Sequence, residues 1–209
     1  MHWSSHDSVA ILRIVQAEEA RAASGRTPIL FTVCVVVASL ATNLGLSLVN
    51  TALNLPFFLD AIGTAVAAAT LGLVPALIVA VGTNALFEVA YGFTLTHLPF
   101  AICGIATVLV VRGFLRAGWF ASVGQALLVS LAVAFANAVL GAVIAAFLFG
   151  GITGVGVDYL VSGLVTSGQS LLSASFWARV PANIIDKTVA VFVAYAVREP
   201  LLRRARRGT

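Results

Sequence analysis

From Pro28 onward the chain is a succession of long runs rich in Ala, Leu, Val and Gly, separated by short polar or charged segments. Runs of about 20 apolar residues match the length needed to cross the hydrocarbon core of a bilayer. Only 10% of the 209 residues are charged and 60% are hydrophobic, whereas soluble domains carry about a quarter charged residues. So few charges do not solvate a globule of this size, and lipid is the solvent implied. In lipid every backbone polar group must be satisfied internally, which leaves helices or closed barrels. Alternating ten-residue segments of barrel type are absent, so the expected fold class is an all-α, polytopic membrane protein.

The breaks predict six spans: Pro28–Asn50, Phe57 to the break at Gly72–Pro75, Pro75–Tyr91, Leu98–Val111, a span within Trp119–Phe149, and Phe176–Val197. Gly150–Gly156 reads as a loop, and Asp158–Ser173 as a surface or re-entrant helix. The basic residues orient the set. With the N-terminus inside, ten of the twelve Lys and Arg residues fall in cytoplasmic segments, and the external loops contain none. This is the positive-inside pattern, and it puts both termini in the cytoplasm. The remaining two, Arg179 and Lys187, lie within the last span. The net charge of +4 therefore reads as topology signal, not as a nucleic-acid surface. Residues 1–27 form a cytoplasmic segment in which Val9–Ala22 reads as a short amphipathic helix on the membrane surface. No signal peptide is expected, because the apolar run that follows is too long for one. Residues 28–198 make the membrane domain and 199–209 a basic tail.

Ionisable side chains inside a membrane are costly and usually face a cavity or one another. Given this orientation, Asn43, Asn50, Asp60, Thr64, Asn84, Glu88, Tyr91, His97 and Asn137 fall midway or toward the outside, and Arg179, Asn183, Asp186 and Lys187 enter the last span from outside. The inner halves are almost purely apolar. Asn84, Glu88 and Tyr91 share one helix face, as do Arg179, Asn183, Asp186 and Lys187. Together they predict a polar pocket open to the outside, with Tyr91, His97 and Trp177 at its mouth. Arg179 is the group suited to an anionic or carbonyl function of a ligand, and Trp177 to stacking on a ring. The plainer alternative is that Asp186 or Glu88 pairs with Arg179 or Lys187 to hold helices together, with Asn residues bridging them.

Enzymatic motifs are missing. There is no G-x-x-x-x-G-K-[ST], no H-E-x-x-H and no G-x-S-x-G. The only histidines are His2, His6 and His97. No catalytic residue, metal site or cofactor is assigned. Cys34 and Cys103 lack pairing or ligand spacing and read as buried free thiols. Small residues four apart in the first span, Ala38 with Thr42 and Ala41 with Gly45, allow close approach of another helix.

Asn54–Thr64 (NLPFFLDAIGT), Gly72, Val81–Asn84 (VGTN) and Arg179–Lys187 (RVPANIIDK) resemble the S components of energy-coupling factor (ECF) transporters, in particular a branch with an L-D-x-I-G-T motif and a late D-K pair. The resemblance covers about residues 28–198. It implies a six-helix, non-enzymatic binding subunit in a prokaryotic cell membrane. Such a subunit captures a vitamin-like micronutrient and docks to a transmembrane T subunit driven by two ATPase subunits. It also implies docking through small residues of the first helix, here Ala38, Ala41, Thr42 and Gly45, although the family's usual alanine pair is not clean in this chain. A membrane sensor or assembly module, a stand-alone gradient-coupled carrier and an intramembrane enzyme are the other readings. The last lacks a nucleophile–base pair, and the carrier lacks inverted halves.

Overall fold

The computed structural model describes residues 29–207. The amphipathic helix expected over Val9–Ala22 lies outside the described residues. Seven α-helices follow one another: α1 (Ile29–Ala52), α2 (Ile62–Thr70), α3 (Leu73–Ala90), α4 (Ala101–Arg116), α5 (Val123–Phe149), α6 (Asp158–Thr166) and α7 (Leu171–Arg207), with a 3-10 turn at Leu98–Phe100 before α4. No strand is present among the described residues.

Local chemistry accounts for several boundaries. Pro75 sits in the first turn of α3, where its missing N–H has no helical acceptor to disappoint. Ser122 caps α5 by accepting from the Gln125 N–H, and Gln125 accepts in turn from the Ala121 N–H. Gly150 ends α5 in the left-handed region at φ 59°. α7 is longer than the expected span, and its last turns continue through the basic tail with Pro181 and Pro200 inside it.

Five helices (α1, α3, the 3-10 turn with α4, α5 and α7) are long and apolar enough to cross a membrane. Their outward faces carry large apolar side chains such as Val37, Ile78, Ile102, Leu127, Phe135 and Ile184. An apolar belt of that extent belongs against lipid. The protein is a multi-pass helical membrane protein.

The second expected span differs. Its helix is α2 alone, nine residues or about 13.5 Å at 1.5 Å per residue, too short to cross. The apolar residues before it, Phe57, Phe58 and Leu59, are not helical. Asn54 and Leu59 take positive φ of 49° and 53°, which a helix excludes.

Contacts fix the relative directions of the elements. Leu40 packs against Gly82, Asn43 bonds Thr83 and Thr51 bonds Tyr91, so α1 and α3 run parallel. Between them, the Phe57 carbonyl accepts from Asn50 and the Gly63 N–H donates to Asn43, so residues 57–70 run back along α1. Gly104 lies against Ala80 while Leu98 donates to Glu88, Asn137 meets Thr107 while Phe149 stacks on Phe100, and Arg179 lies against Gly141 while Thr188 bonds Ser130, so α3, α4, α5 and α7 alternate in direction. Leu59 pairs with Asp186 and Ala69 with Arg198, which sets α7 parallel to α2.

One end of the bundle is packed with small side chains, among them Ala65, Ala68, Ala76, Val79, Val111 and Val191. The approach is closest at Gly63, where an added Cβ would run into the Ser39 backbone carbonyl. Arg112 and Arg198 bond the Ala68 and Ala69 carbonyls at the C-terminal end of α2, complementing its dipole. The other end is polar and hollow.

Candidate functional site

A cavity of about 360 Å³ opens among α1, the 57–61 segment, α3, α4, α5, α7 and two loops. Its floor is polar. Thr64, Thr83, Asn84, Thr107, Asn137 and Asn183 line it at the levels where the helices pair with one another. Its walls toward the open end are aromatic, with Phe57, Phe58, Phe87, Tyr91, His97 and Phe100.

Asn43, fully buried, ties three elements together beneath this floor. Its amide nitrogen donates to Thr64 Oγ1 at 3.0 Å and Thr83 Oγ1 at 2.9 Å, while its oxygen accepts from the Gly63 N–H at 2.7 Å. The non-helical 57–61 segment thereby brings Asp60 to α7. There Lys187 Nζ lies 3.1 Å from Asp60 Oδ1 and also hydrogen-bonds Asp186, which accepts from the Leu59 N–H. Asp186 is fully buried, whereas a third of the Asp60 side chain is exposed to the cavity side. The Lys187 ammonium also stands 5.6 Å from the centre of the Phe58 ring, a cation–π distance.

Two loops at the open end are each organised by one carboxylate. Glu88 accepts from the backbone N–H groups of Leu95, His97 and Leu98, which holds Phe93 and Leu95 at positive φ. Asp158, at the start of α6, accepts from the N–H groups of Thr153, Gly154 and Val155 and from the Thr153 hydroxyl. The same Asp158 lies 3.9 Å from the Arg179 guanidinium, which also reaches the Ser175 carbonyl and Thr153 Oγ1 at 3.4 Å each. His97 stacks on Tyr91 with centroids 4.8 Å apart. Burial pushes its imidazole below the ordinary value, outweighing the Glu88 and Asp60 carboxylates that pull the other way. It is neutral at pH 7.

Of the residues singled out from the sequence, Asp60, Asn84, Tyr91, His97, Asn137, Arg179, Asn183 and Lys187 line the cavity. Glu88 and Asp186 do not. The first is consumed by the 95–98 backbone and the second stands behind Lys187. Trp177 lies elsewhere: it is 57% exposed, on an outward face of α7 with its ring against Phe176, because two positions along a helix, about 200° of rotation, turn it away from Arg179. No protein-family model, curated protein or solved structure matches the chain.

Several lining groups escaped helical-spacing arguments. Thr94, Thr96, Thr153 and Val155 come from loops, where periodicity carries no information; Asp158, which holds the Thr153–Val155 loop without lining the cavity, had only its place at the start of a short helix as a signal. Cys103 lines the cavity and Cys34 is exposed on α1, so the expected burial fails for Cys34. Ala38, Ala41, Thr42 and Gly45 are all exposed on α1, and a Cβ added to Gly45 would meet nothing within 4 Å. Among the described residues, no three His, Cys, Asp or Glu side chains are grouped to hold a metal ion.

Proposed function

We propose that the chain is a membrane-embedded solute-binding subunit of an ECF-type transporter, taking a vitamin-like micronutrient from the external side of a prokaryotic cell membrane. The observation that carries this reading is the one-ended cavity, polar and aromatic at one end of the bundle and closed at the other by the alanine–valine core. The motif residues support it: Asp60, Thr64, Thr83, Asn84, Arg179, Asn183 and Lys187, scattered over the chain, converge on that cavity. In this reading the 57–61 segment and α2 together make one broken crossing, for six in all. That number is supported by the parallel course of α1 and α3, which requires the chain to return between them. The basic residues Arg112, Arg116, Arg198, Arg203 and Arg204 cluster away from the cavity, which supports cytoplasmic termini. The exposed small residues of α1 offer the T subunit a close helix approach. No chemistry is assigned to the chain itself, and no cofactor.

Mass spectrometry of solute retained by the purified protein tests the binding role, and co-purification with a T subunit and two ATPases tests the partnership. A second reading, a stand-alone carrier, draws on the Asp60–Lys187–Asp186 cluster as an ion-coupling site. Uptake into liposomes by the chain alone, driven by a proton gradient, would favour that carrier and sink the binding-subunit reading.

A further inference from the structure

The hydrogen-bonding state of the cavity lining restricts what it accepts, given the binding role above. Asn84, Asn137 and Asn183 are each at least nine-tenths buried, and each donates its amide nitrogen to the carbonyl four residues earlier in its own helix: Ala80 at 3.1 Å, Val133 at 3.0 Å and Arg179 at 2.9 Å. An amide whose nitrogen is held this way presents its oxygen, an acceptor, to the cavity. None of the three oxygens has a partner among the described residues. Thr107 is committed as well, since its hydroxyl donates to the Cys103 carbonyl and accepts from Asn137.

Charge points the same way. Lys187 is bracketed by Asp60 and Asp186, and Arg179 faces Asp158, so neither cation is free of a counter-charge. The excess is acidic. Asp60 uses Oδ1 on Lys187, and its other oxygen has no partner among the described residues. The donors left in the lining are the Thr64 and Thr83 hydroxyls, one N–H each of Asn84 and Asn183, and the Nε of an Arg179 that is 1% exposed and whose charge faces Asp158, so acceptors carry the only uncompensated charge, on Asp60. Aromatic rings of Phe57, Phe58, Phe87 and Phe100 enclose the space above, and a flat π-system packs well on such walls.

The geometry points to a small planar, N–H-rich heteroaromatic or amidine-type ligand, neutral or cationic, with its donor edge on Asp60 and the three asparagine oxygens and its ring among the phenylalanines. Carboxylate and phosphate ligands are rejected, because they would set an anion against four acceptor groups and no uncompensated cation.

Three probes of one shape and different charge test this on the purified full chain: benzamidine, benzamide and benzoate, with affinities measured by saturation-transfer NMR. The expected order is benzamidine, then benzamide, with benzoate about tenfold weaker than benzamidine. Asp60→Asn should remove most of the benzamidine advantage while benzamide binding persists. The unmodified chain already decides the matter, should that variant fold poorly. Equal affinities for the three probes, or benzoate binding tightest and lost in Arg179→Gln, overturn the ligand class but leave the binding role standing. Failure of all three probes, joined to a purified protein that retains no solute, overturns both.

Discussion

The two ends of the bundle are held together by different means. At the closed end, Ala65, Ala67, Ala68, Ala76, Val79 and Val108 pack with almost no polar contact, and backbones approach until glycine is required at residue 63. At the hollow end, side chains far apart in sequence bond one another: Asn43 with Thr64 and Thr83, Asn137 with Thr107, Lys187 with Asp60. Lipid tails are as apolar as leucine, so burial supplies little drive between helices, and close packing and interhelical hydrogen bonds must do so. The closed end uses the first and draws the backbones together. The hollow end uses the second, which holds helices apart at side-chain length and leaves a cavity. A binding site in such a bundle is therefore placed where polar groups replace small-residue packing.

The contrast is broken most forcefully at Lys187. Lys187→Met leaves Asp60 and Asp186 facing each other without a cation, and removing one partner from a buried ionic group costs about 3–5 kcal/mol. Denaturant titration in detergent should show that loss, with part of it restored in the Lys187→Met, Asp186→Leu double variant. An unchanged midpoint in the single variant would mean the triad does not hold 57–61 against α7.

At the closed end the matching test is Gly63→Ala, whose methyl would meet the Ser39 backbone. Overpacking of this kind costs about 1–3 kcal/mol, and backbone does not yield as a flexible side chain does. Gly45→Ala, on the exposed face of α1, should leave the midpoint unchanged within about 0.5 kcal/mol. If both glycines respond alike, helix propensity and not close approach is the cause.

The apolar runs and the basic segments made α1, α3, α4, α5 and α7 legible in the sequence, because length and hydropathy are what define a crossing. The 57–61 segment was not, because Phe57, Phe58 and Leu59 satisfy a hydropathy window as well in extended form as in a helix. Its conformation depends on tertiary partners, the Asn50 side chain on the Phe57 carbonyl and the Asp186 carboxylate on the Leu59 N–H. The stripe Arg179, Asn183, Lys187 was legible from spacing, whereas the role of Glu88 was not. Spacing puts Glu88 on the Asn84–Tyr91 face, yet its carboxylate turns to three N–H groups of a loop whose shape no periodicity encodes.

Asn43→Leu probes the seam between the two ends. It removes three hydrogen bonds but also leaves Thr64, Thr83 and the Gly63 N–H unpaired, and interhelical polar contacts in membranes are worth on average about 0.6 and at most about 1.7 kcal/mol. A loss of about 1–2 kcal/mol is expected, smaller than at Lys187 because no charge is stranded. It should be accompanied by weaker binding of benzamidine, as the floor loses its alignment. A loss of stability with binding intact would detach the floor from the seam.

The smallest effect belongs to the rim. The folded chain holds His97 neutral, with its pKa below the ordinary 6.5, so between pH 6.5 and the lower folded value the unfolded chain binds the proton more readily. The contribution is intact above pH 6.5 and declines as the pH falls below it, by less than about 1.4 kcal/mol per pH unit. Thermal midpoints at pH 7.5 and 5.5 should therefore fall further in the unaltered protein than in His97→Gln, which keeps a polar ring-sized group without the titration. A smaller fall in the unaltered protein than in His97→Gln would show that Glu88, 3.8 Å from Nδ1, governs the imidazole and that the rim is held by an ion pair like the one at Lys187. The hollow end would then carry ion pairs both at Lys187 and at the rim, and its difference from the closed end would be sharper still.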